Sequence, residues 1–226
     1  MPPTDIIVTG QARDLRAPDR ALLRVHVSKT GRDWASTHHK VTLAVAGVTE
    51  AIKQLQLDHP QAIYEHSISQ VSQRSWTDDS GAVFSEAVDI AVVFVDFAVM
   101  SDWIFNQTSE VVAAESVQWQ LSPAARNELR ISLSVEAVRD ARRKAETLAL
   151  AAGLTITGIK TITDPGWTDQ APAGPMMRAM IAGVNADDSQ AIDITPSSIE
   201  TAVRVDIAYL ADVETTVDPY PTSLLH

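Results

Sequence analysis

One stretch of this chain is regular enough to constrain the whole fold: residues 123–152 read as a single long helix. At 100° per residue, Ala137, Val138, Ala141, Ala145, Leu148, Ala149 and Ala152 fall within one sector, and Glu136, Arg139, Asp140, Arg143, Glu146 and Thr147 fall on the other side. Ser122 before Pro123 supplies an N-cap and a proline at the first helical position, and Gly153 supplies a left-handed C-cap. Small alanine side chains let a helix axis approach its neighbour closely, where a leucine stripe would hold it off. The charged side is a solvated face, with Asp140–Lys144 and Arg142–Glu146 spaced for weak surface pairs. This helix is predicted to be scaffold.

The rest of the chain alternates between strand and helix patterns. Leu23, Val25 and Val27 alternate with Arg24 and His26, and Ala17-Pro18-Asp19 separates this strand from an earlier one. Val41, Ala44, Val45, Val48, Ile52 and Leu55 recur at helical spacing, which predicts a helix over about 33–57. Strands are predicted near 62–75 and 82–96, the second with Val88, Ile90, Val92 and Phe94 on one face and a hairpin loop over Trp76–Gly81 between them. Asp96 is placed to cap a short helix carrying Val99, Met100, Trp103 and Ile104. Further strands are expected around 112–121, 154–163 and from Ile199 to Tyr209.

Residues 164–198 show little periodicity, and a connection of that length is functional or mobile, so 165–195 is expected to be the most protease-sensitive interior segment. The tail, 211–226, is acidic and is expected to fray. Leu129, Ile131, Leu133 and Val135 point around more than one side of the long helix, which implies a second apolar contact surface there.

Composition excludes several functions. A net charge of −11 offers no basic footprint for nucleic acid, since the one basic cluster, Arg139, Arg142, Arg143 and Lys144, is interleaved with acids. The absence of cysteine removes disulfides, thiol catalysis and cysteine metal sites. The longest apolar run, residues 90–100, is interrupted by Asp96 and is too short to span a membrane. No secretory signal pattern opens the sequence, so a cytoplasmic location is the expectation.

No catalytic, cofactor-binding or metal-binding residue is assigned from the sequence. His38 and His39 are adjacent on a predicted helix and point about 100° apart, and His26 and His66 lie on different strands, where only folding can bring them together. Asp78-Asp79 and Asp187-Asp188 read as solvated loop carboxylates, and no stoichiometric metal is expected. Nucleotide-binding and hydrolase motifs are absent. Trp34, Trp103 and Trp119 fall on faces expected to be buried, while Trp76 and Trp167 fall in loops and are expected to pack down.

Four segments, in order, resemble the SIMPL-domain family, named after a signalling molecule associated with a pelle-like kinase and including bacterial periplasmic members. They are Ile6-x-Val8-x-Gly10 with Pro18-Asp19-x-Ala21; the helix from Ala137 to Ala149; Gly153 with the Ile156–Ile162 strand; and Ile194-Thr-Pro196-x-x-Ile199. The resemblance spans about residues 5–210 and implies an α+β fold, homo-oligomeric assembly in some members and a link to oxidative-stress defence. It implies no catalytic residues. The expected architecture is mostly antiparallel sheet packed against one long, one medium and one short helix, in a single domain over 1–210 with two subdomains as an option. The expected role is non-enzymatic assembly or protein interaction, with a homo-oligomer as the expected state. The alternative is a small-ligand binder or enzyme using 164–198 as a lid, with Trp167, Met176, Met177, Arg178 and Met180 as an adaptable surface.

Overall fold

A computed structural model describes residues 3–164, 166–170 and 195–213. The elements in order are β1 (Thr4–Arg16), β2 (Arg20–Gly31), α1 (Trp34–Asp58), β3 (Ile63–Asp78), β4 (Gly81–Phe94), α2 (Phe97–Gln107), β5 (Val112–Gln120), α3 (Pro123–Ala151), β6 (Leu154–Thr163), β7 (Trp167–Gln170) and β8 (Ile199–Val213). The α+β class is as predicted, although α1 with 25 residues joins α3 with 29 as a second long helix. The described residues divide into two compact units, one built from 3–16, 123–164, 166–170 and 200–213, the other from 17–122 with 195–199.

The unit built on residues 17–122 is a four-stranded antiparallel sheet in the order β3-β4-β2-β5. Period-two alternation sends Ala21, Leu23, Val25 and Val27 of β2 into the core beside Val88, Ile90, Val92 and Phe94 of β4, all buried. The helices cover that side. From α1 come Val41, Val48 and Ile52; from α2 come Met100, Trp103 and Ile104, with Trp103 tilted on Phe94 at 5.9 Å and Phe97 edge-on to Trp119 at 5.0 Å. Both helices start at an aspartate N-cap: Asp33 accepts from the Ser36 amide at 2.7 Å, and Asp96 from the Ala98 and Val99 amides.

Between β3 and β4 the loop is shorter than the predicted Trp76–Gly81. Asp78 pairs with Gly81, so only Asp79 and Ser80 lie outside the ladder, and Gly81 takes a positive φ of 113°. Arg32 grips the two carboxylate oxygens of Asp78 at 3.0 Å each, and this guanidinium holds the carboxyl below its usual range. Trp76 is therefore a strand residue and remains half-exposed instead of packing down. Trp34 also departs from expectation: it opens α1 at 40% exposure, whereas Trp103 and Trp119 are buried as predicted.

In the other unit β8 pairs with β6 and, through its first residues, with β7, while β1 lies on its other edge. Short β7 falls inside the stretch read from sequence as irregular, and residues 211–213 extend β8 instead of fraying. The remainder of the 164–198 segment, including Met176, Met177, Arg178 and Met180, and the tail beyond 213 lie outside the described residues.

α3 lies against β1 and β6. Its inner stripe is Leu129, Leu133, Ala137, Ala141, Ala145 and Ala149, every fourth residue and all buried. Leu129 and Leu133 thus continue the alanine face and offer no second surface. Ile131, Val135, Leu148 and Leu150 are the exposed large apolar residues of this helix. Gly10 of β1 marks the closest approach: a Cβ there would sit 1.9 Å from the Ala137 carbonyl oxygen and 2.8 Å from the Ala141 Cβ. Gly153 ends α3 at φ 68°, as its sequence position predicted.

Asp140 does more than pair along the helix surface. It takes Lys144 Nζ at 2.7 Å and also accepts the Gln11 amide of β1 at 3.0 Å, while Lys144 donates to the Thr9 carbonyl at 2.9 Å. The Lys144 hydrogen bond, then that of the Gln11 amide, holds the Asp140 carboxyl below its ordinary value. A carboxylate depressed in the folded state stabilises above its unfolded pKa and loses that contribution as pH falls through the folded one. Asp140→Asn is accordingly expected to lower the melting temperature at pH 7, with the gap to the parent closing below about pH 4. A gap that stays constant down to acid pH would show that the charge is not the cause.

Candidate functional site

Three features of the β3-β4-β2-β5 sheet carry chemistry. The first is its edge. β3 is 16 residues long, closes one end of the strand order, and pairs only with β4 among the described residues. Its ladder skips Tyr64 and Ser69, then runs without a break from Gln70 to Asp78. Tyr64, Ile68, Val71 and Trp76 all stand about half-exposed on this strand. Arg20 of β2 lies over the Tyr64 ring, its guanidinium carbon 3.5 Å from the centroid.

The second feature lies on the helix-covered side. Glu86 occupies a core-facing position of β4, in phase with Val88, Ile90 and Val92, and its side chain is only 5% exposed. A buried carboxylate needs partners. His38 Nδ1 supplies one at 2.9 Å and Gln73 Nε2 donates another at 3.3 Å. Trp34 stacks on His38 with centroids 5.3 Å apart and leans on Phe84 at 6.2 Å. The imidazole is thereby oriented as in a general-base dyad, but no hydroxyl is hydrogen-bonded to it among the described residues. The cluster fastens the first turn of α1 to β4.

The third feature is on the helix-free side. His26 of central β2 faces Asp89 of β4 directly in the ladder, with Nδ1 2.6 Å from Oδ1. β5 contributes Glu115 from the opposite flank. The register passes from Arg24↔Ser116 to Val25↔Ala114, leaving Glu115 as the extra residue of a bulge. Across it the buried set shifts phase, from Val112 and Ala114 to Val117 and Trp119. Without that shift Glu115 would point into the core with Val117. Donor atoms of His26, Asp89 and Glu115 all come within 4.8 Å of one another.

Folding thus does bring a histidine to acids, but His26 meets Asp89 and Glu115, while His66, which could meet it only by folding, pairs with Val92. His38 and His39 share no cluster, and Asp78 is engaged by Arg32. Asp187-Asp188 lies outside the described residues, as does the side chain of Trp167. The sequence reading missed Glu86, Asp89 and Glu115. For Glu86 the signal was present, because a carboxylate stands in phase with four buried apolar residues of β4. For Glu115 there was none, since the bulge depends on pairing between strands.

In the unit built around α3, Gln11, Arg13, Asp140, Lys144 and Arg204 line an open groove. Its cations are largely engaged internally, Lys144 by Asp140 and the Thr9 carbonyl, Arg204 by Asp206 at 3.3 Å. No helix among the described residues is long and apolar enough to cross a membrane.

A family model described as SIMPL, protein of unknown function (DUF541), matches residues 6–209. Comparison with curated proteins finds no match.

Proposed function

The chain belongs to the SIMPL family, whose function is unknown, and on that premise we propose that it is an assembly protein that associates with further copies of itself through the β3 edge. The observation that carries this reading is β3 itself. An edge strand exposes unpaired backbone donors and acceptors, and proteins usually blunt such edges with bulges, charge or cover. Here the two bulges occupy the first half, while Gln70–Asp78 runs in regular register with Val71 and Trp76 half-exposed. That half is the surface fit to receive another strand, with the two apolar side chains adding area on opposite faces of the sheet. The family resemblance is the sole support for setting this assembly in a stress response. The oriented His38, to which no hydroxyl is hydrogen-bonded among the described residues, favours a non-enzymatic role.

Light scattering coupled to size exclusion tests the proposal. The parent is expected to run at a multiple of its 24.5 kDa chain mass, and the double variant Val71→Lys/Trp76→Lys at a single chain with an unchanged melting temperature. A parent that stays at one chain mass at every concentration sinks the proposal. An unchanged multiple in the double variant removes β3 as the contact.

A further inference from the structure

We propose that His26, Asp89 and Glu115 form a binding site for a divalent first-row transition-metal ion on the helix-free face of the four-stranded sheet. Three donors from three adjacent strands meet there: Asp89 from β4, His26 from central β2 and Glu115 from β5. Two of these strands hold His26 and Asp89 in direct register, so two of the ligands are fixed by the ladder itself. The third arrives because of the bulge, and bulges recur where a sheet re-aims a side chain toward a site.

The geometry needs little adjustment. Ligand atoms around a metal bonded at 2.0–2.2 Å stand roughly 3.4 Å apart in a tetrahedral set. The present separations, up to 4.8 Å, close to that by rotation of the exposed Glu115 side chain. His26 Nδ1 and Asp89 Oδ1, now 2.6 Å apart, open by about 0.8 Å through side-chain rotation when a metal replaces the proton between them. The ring proton moves to Nε2, so a neutral imidazole presents its Nδ1 lone pair and no net proton is required. The backbone around Asp89 is held as well, its carbonyl accepting from Ser69 Oγ at 3.2 Å.

Charge and donor type narrow the ligand. One neutral imidazole with two carboxylates offers a −2 site, which a dication neutralises. The imidazole favours zinc, nickel or copper over magnesium and calcium, which take oxygen ligands alone. Neighbouring positions on the same face are small: Ala113 pairs with His26, and Ala91 pairs with Arg24. Arg24, two residues along β2, is exposed to solvent and does not enter the donor set. Three protein ligands leave at least one coordination position for water or a small anion, the arrangement of an exchangeable rather than a closed structural site. This departs from the expectation, drawn from spacing alone, that the protein holds no stoichiometric metal, and it is independent of self-association.

The test is equilibrium dialysis of the full chain against zinc chloride, with metal and protein quantified in the same sample and affinity measured by calorimetry. One zinc per chain is expected. Glu115→Gln and His26→Asn are each expected to weaken binding at least tenfold, while His38→Asn/His39→Asn leaves it unchanged. Glu115 is exposed at the bulge, so Glu115→Gln keeps the fold and decides the matter even where His26→Asn does not fold. Three results overturn the proposal: no stoichiometric binding, parental affinity in Glu115→Gln, or loss of binding in the His38/His39 variant.

Discussion

Replacing Gly10 with alanine is expected to lower the melting temperature by roughly 10 °C, a loss of about 3 kcal/mol at the usual conversion for a chain of this length. The added methyl group would lie 1.9 Å from the Ala137 carbonyl oxygen. A rotamer change cannot relieve that contact, because the clashing atoms are Cβ and backbone. Either β1 or α3 must move, and α3 is also tied to β1 through Asp140, the Gln11 amide and Lys144. Gly47 of α1 is the matched control, since a Cβ there meets nothing within 4 Å. Gly47→Ala is expected to be neutral or to stabilise by about 0.5–1 kcal/mol, because glycine is costly within a helix. Thermal unfolding of the two variants side by side checks both, and equal melting temperatures would refute the tight packing of β1 on α3.

Leu133→Asp is expected to cost at least about 4 kcal/mol. Removing a buried leucine costs 2–5 kcal/mol by itself, and the carboxylate put in its place has to be desolvated or protonated. Leu133 is only 5% exposed and belongs to the buried stripe of α3. Ile131, two residues away at 56% exposure, is the contrasting position. Ile131→Asp is expected to change stability by less than about 0.5 kcal/mol, as ordinary surface substitutions do. Urea unfolding midpoints separate the two, and a Leu133→Asp protein within 1 kcal/mol of the parent would show that this turn of α3 is not core. Ile131, and not Leu133, is therefore the residue on this helix with which to probe contacts between copies.

The contrast between those two leucine-type positions shows how the sequence was legible. Along α3 the alanines at every fourth residue announced the buried face, because small side chains in a helix of this length mean close approach. The same step of four run backward reaches Leu133 and Leu129, yet their size masked the continuity with the alanines. Strand positions were read well where alternation was unbroken, as in β4 and β8. Reading became unreliable wherever phase depended on a partner strand. The Glu115 bulge and the two skipped residues of β3 are properties of pairing, and single-strand periodicity carries no trace of them. Trp76 was assigned to a loop because Asp78-Asp79-Ser80-Gly81 resembles a longer turn than the two-residue one that forms. The histidines illustrate the same limit, for His26 acquires its carboxylates only across strands.

The placement of β1 beside β8 has a consequence for synthesis. Thr9 donates to Asp206 at 2.6 Å across 197 residues of chain. The unit around α3 therefore cannot close until the ribosome has delivered the chain from β1 through β8. The stretch from Ala17 to Ser122, by contrast, carries the four strands and two helices described for its unit in one uninterrupted run. Contacts between neighbours in sequence form faster than those that must first close a long loop. The nascent chain accordingly acquires its four-stranded sheet while β1 is still waiting, an unpaired strand whose partner has yet to be made.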